Sequence, residues 1–181
     1  MARSLEQAIE TTLLAAVALL FCCAVRALTA DASAAPLVRV EFDSADRRLL
    51  SGRSIAGDPI QAYLARPEGA GPFPAVIALH GCAGMHDTTR QRLADRLVAW
   101  GYVVLLVDSY ATRGIEHACT SSQLATFLKR SPDAYGALLF LAQQNFVDPL
   151  RVGVVGFSAG ARLTLSVAEP VRSNSSSPKA S

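Results

Sequence analysis

Clusters of lysine and arginine are missing from this sequence, although 17 basic and 15 acidic residues occur among its 181. A formal net charge of +2 without a basic patch excludes an electrostatic nucleic-acid surface. No internal repeat is present, so a solenoid is excluded. A G-x-G-x-x-G spacing and a glycine-lysine pair are both absent, which argues against a phosphate-binding loop. No metal or cofactor motif occurs, and no cofactor is expected. No apolar run approaches the roughly twenty residues that a membrane-spanning helix needs. Histidine occurs only three times, and neither histidine nor aspartate follows Ser158.

The N-terminus carries the apolar run "LLAAVALLFCCAV", Leu13 to Val25. That run suits the apolar region of a signal peptide. Small residues follow, and Ala30-Asp31-Ala32 and Ala32-Ser33-Ala34 both fit a small-x-small cleavage site. Residues 1–34 are therefore expected to be a signal peptide, with an uncleaved anchor and a buried core helix as the other readings, and the mature chain to be periplasmic or secreted, without stable membrane association after cleavage. Arg3 is offset by Glu6 and Glu10, so the leading segment is not clearly positive. Cys22 and Cys23 lack a convincing lipoprotein box, because Phe21 stands where a small residue is wanted. Removing this segment leaves Cys82 and Cys119. In an exported protein such a pair is a disulfide candidate, with two separate buried thiols as the other reading.

From residue 36 strand-like and helix-like segments alternate. "LVRVEF" (37–42) and "PIQAYLARPE" (59–68) read as strands. Three apolar runs follow: "AVIALH" (75–80), "YVVLLVD" (102–108) and "RVGVVGF" (151–157). They do not alternate, so both faces of each are expected to be buried, as in parallel strands covered by helices. Between the first two, Leu93, Ala94, Leu97, Val98 and Trp100 lie on one broad side at helical spacing. Asp87 is placed to start that helix and Gly101 to end it. "SPDAYGALLFLAQQNF" reads as a second helix, and "VDP" (147–149) as the turn into the last strand. This order implies a parallel α/β sheet with right-handed crossovers. From Val171 the chain, "VRSNSSSPKAS", reads as a disordered tail, 171–181.

"GFSAG" places Ser158 between Gly156 and Gly160, after an apolar strand and before the helix-prone "ARLTLSVA". Leu163, Leu165 and Val167 are available for burial on that helix. A nucleophile raised on a strand-to-helix turn needs small neighbours, because the backbone doubles back on itself there. The reward is a hydroxyl at a helix N-terminus, where amides and the helix dipole favour developing negative charge. "LHGCAG" (79–84) follows the first parallel strand. The loop at that place supplies one oxyanion-hole amide and the residue after the nucleophile supplies the other. The two donors expected are Cys82 and Ala159. His80 reads as a structural histidine bracing that loop.

The stretches "AYLARPEGAGPFPAVIALHGCAG", "LADRLVAWGYVVLLVDSYATRG" and "DAYGALLFLAQQNFVDPLRVGVVGFSAG" resemble the dienelactone hydrolase family, in particular its exported bacterial members. The resemblance runs from about residue 38 to residue 169. It implies an α/β-hydrolase fold, a mostly parallel sheet with helices on both faces, over residues 35–170. It also implies hydrolysis of a small-molecule carboxylic ester or lactone. The hydrolase that names the family uses cysteine as its nucleophile; this chain has Ser158.

A serine hydroxyl needs a base, usually a histidine oriented by a carboxylate, and in this fold both follow the nucleophile in the chain. Here only Glu169 follows it. His80 and His117 precede it, and Asp108 ends the second parallel strand, where its ordinary role is to bind loop amides. Arg113, in "SYATRG", is the candidate to meet a substrate carboxylate, with an exposed surface arginine as the plainer reading. The expectation is a serine ester hydrolase whose C-terminal part is missing, shortened after the nucleophile turn and of low or no activity. The alternative is a non-catalytic exported protein that binds small molecules in the hydrolase pocket. Without further strands, "RVGVVGF" becomes an edge open to self-association.

Overall fold

A computed structural model describes residues 34–48, 51–120 and 130–168. Residues 1–33 of the expected signal segment, Glu169 and the expected tail lie outside them. Among the described residues no helix is long and apolar enough to cross a membrane. The elements run β1 (Val38–Asp43), β2 (Arg47–Arg48), β3 (Ser54–Ile55), β4 (Pro59–Ala65), β5 (Phe73–Leu79), α1 (Asp87–Ala99), β6 (Val103–Asp108), α2 (Ser131–Ala142), β7 (Val147–Gly156) and α3 (Ala159–Ala168). A short 3₁₀ turn, Ala111–Arg113, follows β6.

Five strands form one sheet in the order β1-β4-β6-β5-β7, while β2 and β3 make a separate two-stranded ribbon. β1 and β4 run antiparallel, as do β4 and β6. β6, β5 and β7 are parallel, with Ile77 of β5 opposite Leu105 on one side and Val154 on the other. This is the parallel α/β core that the alternation of apolar runs and helical segments predicts, in the α/β-hydrolase-like arrangement that the family resemblance implies.

Helices cover both faces. On one, Ala134, Ala137 and Leu141 of α2 and Leu163 of α3 pack on Ile77, Leu79, Leu105 and Val107. On the other, Ala94 and Leu97 of α1 pack on Ala78, Val104 and Leu106. Residues 103 to 107 of β6 are all fully buried. Each such side chain contributes about 1.5–3 kcal/mol, an upper bound because unfolded chains are partly collapsed.

Three expectations change. β7 is not buried on both faces, since Gly153 is exposed, although it does stand at the expected edge among the described residues. It also begins at Val147, because Val147 already pairs with Phe73, so the expected turn at 147–149 lies inside the strand. α1 and α3 each leave an apolar residue outside. Trp100 is 66% exposed and Leu165 68%. Trp100 caps the end of α1 beside a groove bounded by Tyr102, Arg151 and Val154.

Candidate active site

The parallel strands end at one edge of the sheet, and the expected site residues gather there. β7 stops at Gly156 and α3 begins at Ala159, so the chain reverses over two residues. Ser158 takes φ +53°, the only non-glycine positive φ among the described residues. A bulkless approach makes this turn possible. A Cβ on Gly156 would lie 2.2 Å from the Gly160 carbonyl oxygen, and one on Gly160 would lie 2.3 Å from that of Leu79. Both are closer than atoms can approach, so each glycine is required by sterics. Left-handed backbone at a serine is strained, and such strain is characteristic of sites that hold a side chain outward. Ser158 is accordingly exposed.

The loop after β5 packs against this turn. Phe157 N–H donates to the Leu79 carbonyl at 3.2 Å. A Cβ on Gly81 would sit 3.3 Å from the Ser158 Cβ and 3.9 Å from its Oγ. Cys82 follows directly. Neither the Cys82 N–H nor the Ala159 N–H donates to a protein acceptor among the described residues. Both belong to residues that adjoin the Gly81–Ser158 approach, Cys82 after Gly81 and Ala159 after Ser158. The loop is fixed from below: Ala118 N–H donates to the Cys82 carbonyl at 2.8 Å. A Cys82–Cys119 disulfide joins the same two loops, with Cα atoms 4.8 Å apart.

His80 lies under this loop at 2% exposure. Its Nδ1 is 2.7 Å from the Gly81 carbonyl oxygen and its Nε2 is 3.2 Å from Arg130 Nη2. The Tyr110 ring meets it edge-on with centroids 4.4 Å apart. Burial, then the neighbouring Arg130 charge, lowers its pKa to about 4. Both nitrogens are engaged, so His80 braces the loop. His86, just before α1, and His117, on the loop ahead of Cys119, are exposed. Asp108 accepts from the amides of Tyr110 and Ala111, each at 3.1 Å. Ser158 Oγ makes no hydrogen bond to a histidine or carboxylate among the described residues.

Arg113 stands on the same edge of the sheet, on the far side of β6. Its Nη1 and Nη2 grip the fully buried Asp133 at 2.8 and 2.9 Å. Nη2 and Nε also reach Asp58 at 2.8 and 3.2 Å, and Nη1 reaches the Ser109 carbonyl at 2.9 Å. The Asp133 hydrogen bonds raise its pKa. The plainer expectation of a surface arginine gives way to a clamp joining β4, β6 and α2. A substrate carboxylate at Arg113 would have to displace one of two aspartates. Arg130, 3% exposed at the start of α2, is a site residue that no sequence pattern marks. An arginine next to a helix start gives no sign in sequence of whether it points inward. Among the described residues no cluster of side chains is arranged to hold a metal ion.

Comparison with known proteins agrees with this geometry. A Methylorubrum extorquens protein bearing the name carboxymethylenebutenolidase is 30% identical over 113 residues, 58% of this chain and 38% of that protein. Esterase EstD of Thermotoga maritima is 28% identical over 131 residues, 70% of this chain and 31% of its own length. The chain therefore spans well under half of these two relatives. A Klebsiella pneumoniae crystal structure described as a dienelactone hydrolase superposes with a TM-score of 0.55 at 24% identity, covering 74% of this chain and 55% of that one. At that identity it speaks for the fold alone. The profile of the dienelactone hydrolase family matches residues 60–176, more than half of the sequence. From strand order, turn geometry and this match together, the chain belongs to the dienelactone hydrolase family.

Proposed function

We propose that this chain carries the nucleophile half of a serine hydrolase acting on small-molecule carboxylic esters or lactones. The observation that carries the reading is the turn itself: Ser158 at φ +53° beside two undonated amides. In this mechanism Ser158 Oγ attacks the acyl carbon and its proton passes to a base. The carbonyl oxygen becomes an oxyanion between the Cys82 and Ala159 N–H groups. The C–O bond to the alcohol then breaks, and the departing oxygen takes up the proton. Water attacks the acyl-enzyme, releasing the acid and restoring the serine.

The base is the part these residues do not supply, since His80 has both nitrogens engaged. Neither histidine nor aspartate follows Ser158, so the 181 residues alone are expected to have little activity. Oxyanion stabilisation and binding without a full triad leave about 10³–10⁴-fold over water. Export is part of the same proposal; a disulfide beside the site suits an oxidising compartment. Pairing between copies through the β7 edge is the proposed mode of self-association.

A fluorophosphonate probe tests the reading. Labelling of Ser158 is expected over hours and is lost in Ser158→Ala. Stoichiometric labelling within minutes would show that a base is present after all. No adduct at saturating probe would remove Ser158 as nucleophile.

A further inference from the structure

Gly81 has no side chain to hinder rotation of the peptide that follows it. A flip of the Gly81–Cys82 peptide would exchange a carbonyl for an N–H at the place where an oxyanion is to be held. What pins that peptide is therefore a functional question, and the residues that pin it lie in the buried network under the loop.

In a trans peptide the carbonyl and the following N–H point in opposite directions. The only cis bond among the described residues is Gly71-Pro72. The Gly81 oxygen faces the His80 Nδ1 at 2.7 Å, and it also accepts from Gly84 N–H at the longer distance of 3.3 Å. The Cys82 N–H is thus turned away from the imidazole, on the residue that follows the Ser158 neighbour Gly81. The bond requires a proton on Nδ1. A guanidinium has donors and no acceptor, so the Nε2 facing Arg130 Nη2 at 3.2 Å must offer its lone pair. Two independent contacts therefore demand the same tautomer.

We propose that His80 and Arg130 are positioning residues for the oxyanion site: Arg130 holds His80 as the Nδ1–H tautomer, and that N–H fixes the Gly81–Cys82 peptide with the Cys82 N–H presented to substrate. This rests on the reading of Cys82 as an oxyanion donor. Tyr110 keeps the pair in place. It meets His80 edge-on, and the Arg130 guanidinium lies 5.0 Å from its ring centroid. The burial that lowers the His80 pKa also keeps the ring neutral at neutral pH, so the lone pair for Arg130 persists.

The chain as it stands permits the test. Nitrogen-15 NMR of the wild-type histidines is expected to show His80 protonated on Nδ1 only. Arg130→Met is expected to admit the other tautomer. The rate of fluorophosphonate labelling at Ser158 is then compared between two amide replacements. Asparagine places its N–H near Nδ1, and glutamine places it near Nε2. His80→Asn is expected to label within a few-fold of wild type. His80→Gln, melting cooperatively, is expected to lose at least about tenfold, since one lost oxyanion donor costs about 10²–10³-fold in catalysis. A structural histidine alone would not separate the two. An Nε2–H tautomer in the wild type overturns the proposal even if both variants fail to fold. So does equal labelling of His80→Gln and wild type. A wild-type chain that never labels at Ser158 removes the nucleophile reading, and this one with it; equal labelling removes only the positioning role.

Discussion

β6 and β7 both read as apolar strands, "VVLLV" against "VGVVG", but have opposite surroundings. β6 has a strand on each side and helices over both faces, and residues 103 to 107 are fully buried. β7 has β5 on one side only among the described residues, and it carries Leu150 at 93% exposure. At the mouth of β6 the charges are sealed: Arg113 is shared by Asp58 and Asp133. At the mouth of β7 the serine and two amides stand open. The contrast teaches that an apolar run declares a strand but not how many neighbours it has. It also separates two kinds of polar group on one sheet edge, those spent on holding loops and those without a protein partner among the described residues.

The sharpest way to break the contrast is to unseal the β6 side. Asp133→Ala leaves Arg113 half-buried with one of its two carboxylates gone. Removing one partner of a buried pair costs about 3–5 kcal/mol, read as a fall in the urea midpoint. Next comes the tie between the two mouths. Replacing Cys82 and Cys119 by serine opens a loop whose ends are 37 residues apart. The chain-entropy relation puts the loss at about 3–4 kcal/mol, seen as a lower melting temperature. Acid acts on the buried network at a similar scale. His80 titrates near 4 when folded, below its ordinary 6.5, with Arg130, Tyr110, Asp108 and Asp133 around it. The unfolded chain binds the proton first, so its contribution is complete above about pH 6.5 and is lost as pH falls towards 4. The loss is on the order of 3 kcal/mol, and His80→Asn is expected to flatten that part of the pH–stability curve. The smallest effect belongs to β7 and α3: Leu150→Ser and Leu165→Ala are expected to stay within about 0.5 kcal/mol of wild type.

Strands, helices and the serine turn were legible because each leaves a local mark: an apolar run, a helical spacing, glycines flanking one serine. Asp108 was legible for the same reason, since its partners are two and three residues away. Arg113 was not. One of its partners lies 55 residues off and the other 20, and only the sheet order brings them together. The Arg130–His80 contact spans 50 residues and has the same cause. Burial of both faces of β7 does not follow from its apolar text, because that text is silent about what covers the strand. Trp100 and Leu165 were misread because the apolar side of a helix is wider than the surface it covers. The disulfide was legible only as a pairing of two leftover cysteines; the 4.8 Å approach follows from both loops leaving the same sheet edge.

That disulfide also gives the chain a covalent topology. Everything between Cys82 and Cys119, α1 and β6 included, lies inside one closed ring. A protease cutting any exposed bond in the ring leaves a single molecule of unchanged mass apart from one added water. The two pieces part only on reduction, so a nick at the Gly114–His117 segment stays silent on a non-reducing gel. A chain built this way keeps its fully buried strand tethered to the Ser158 turn even after its surface has been cut.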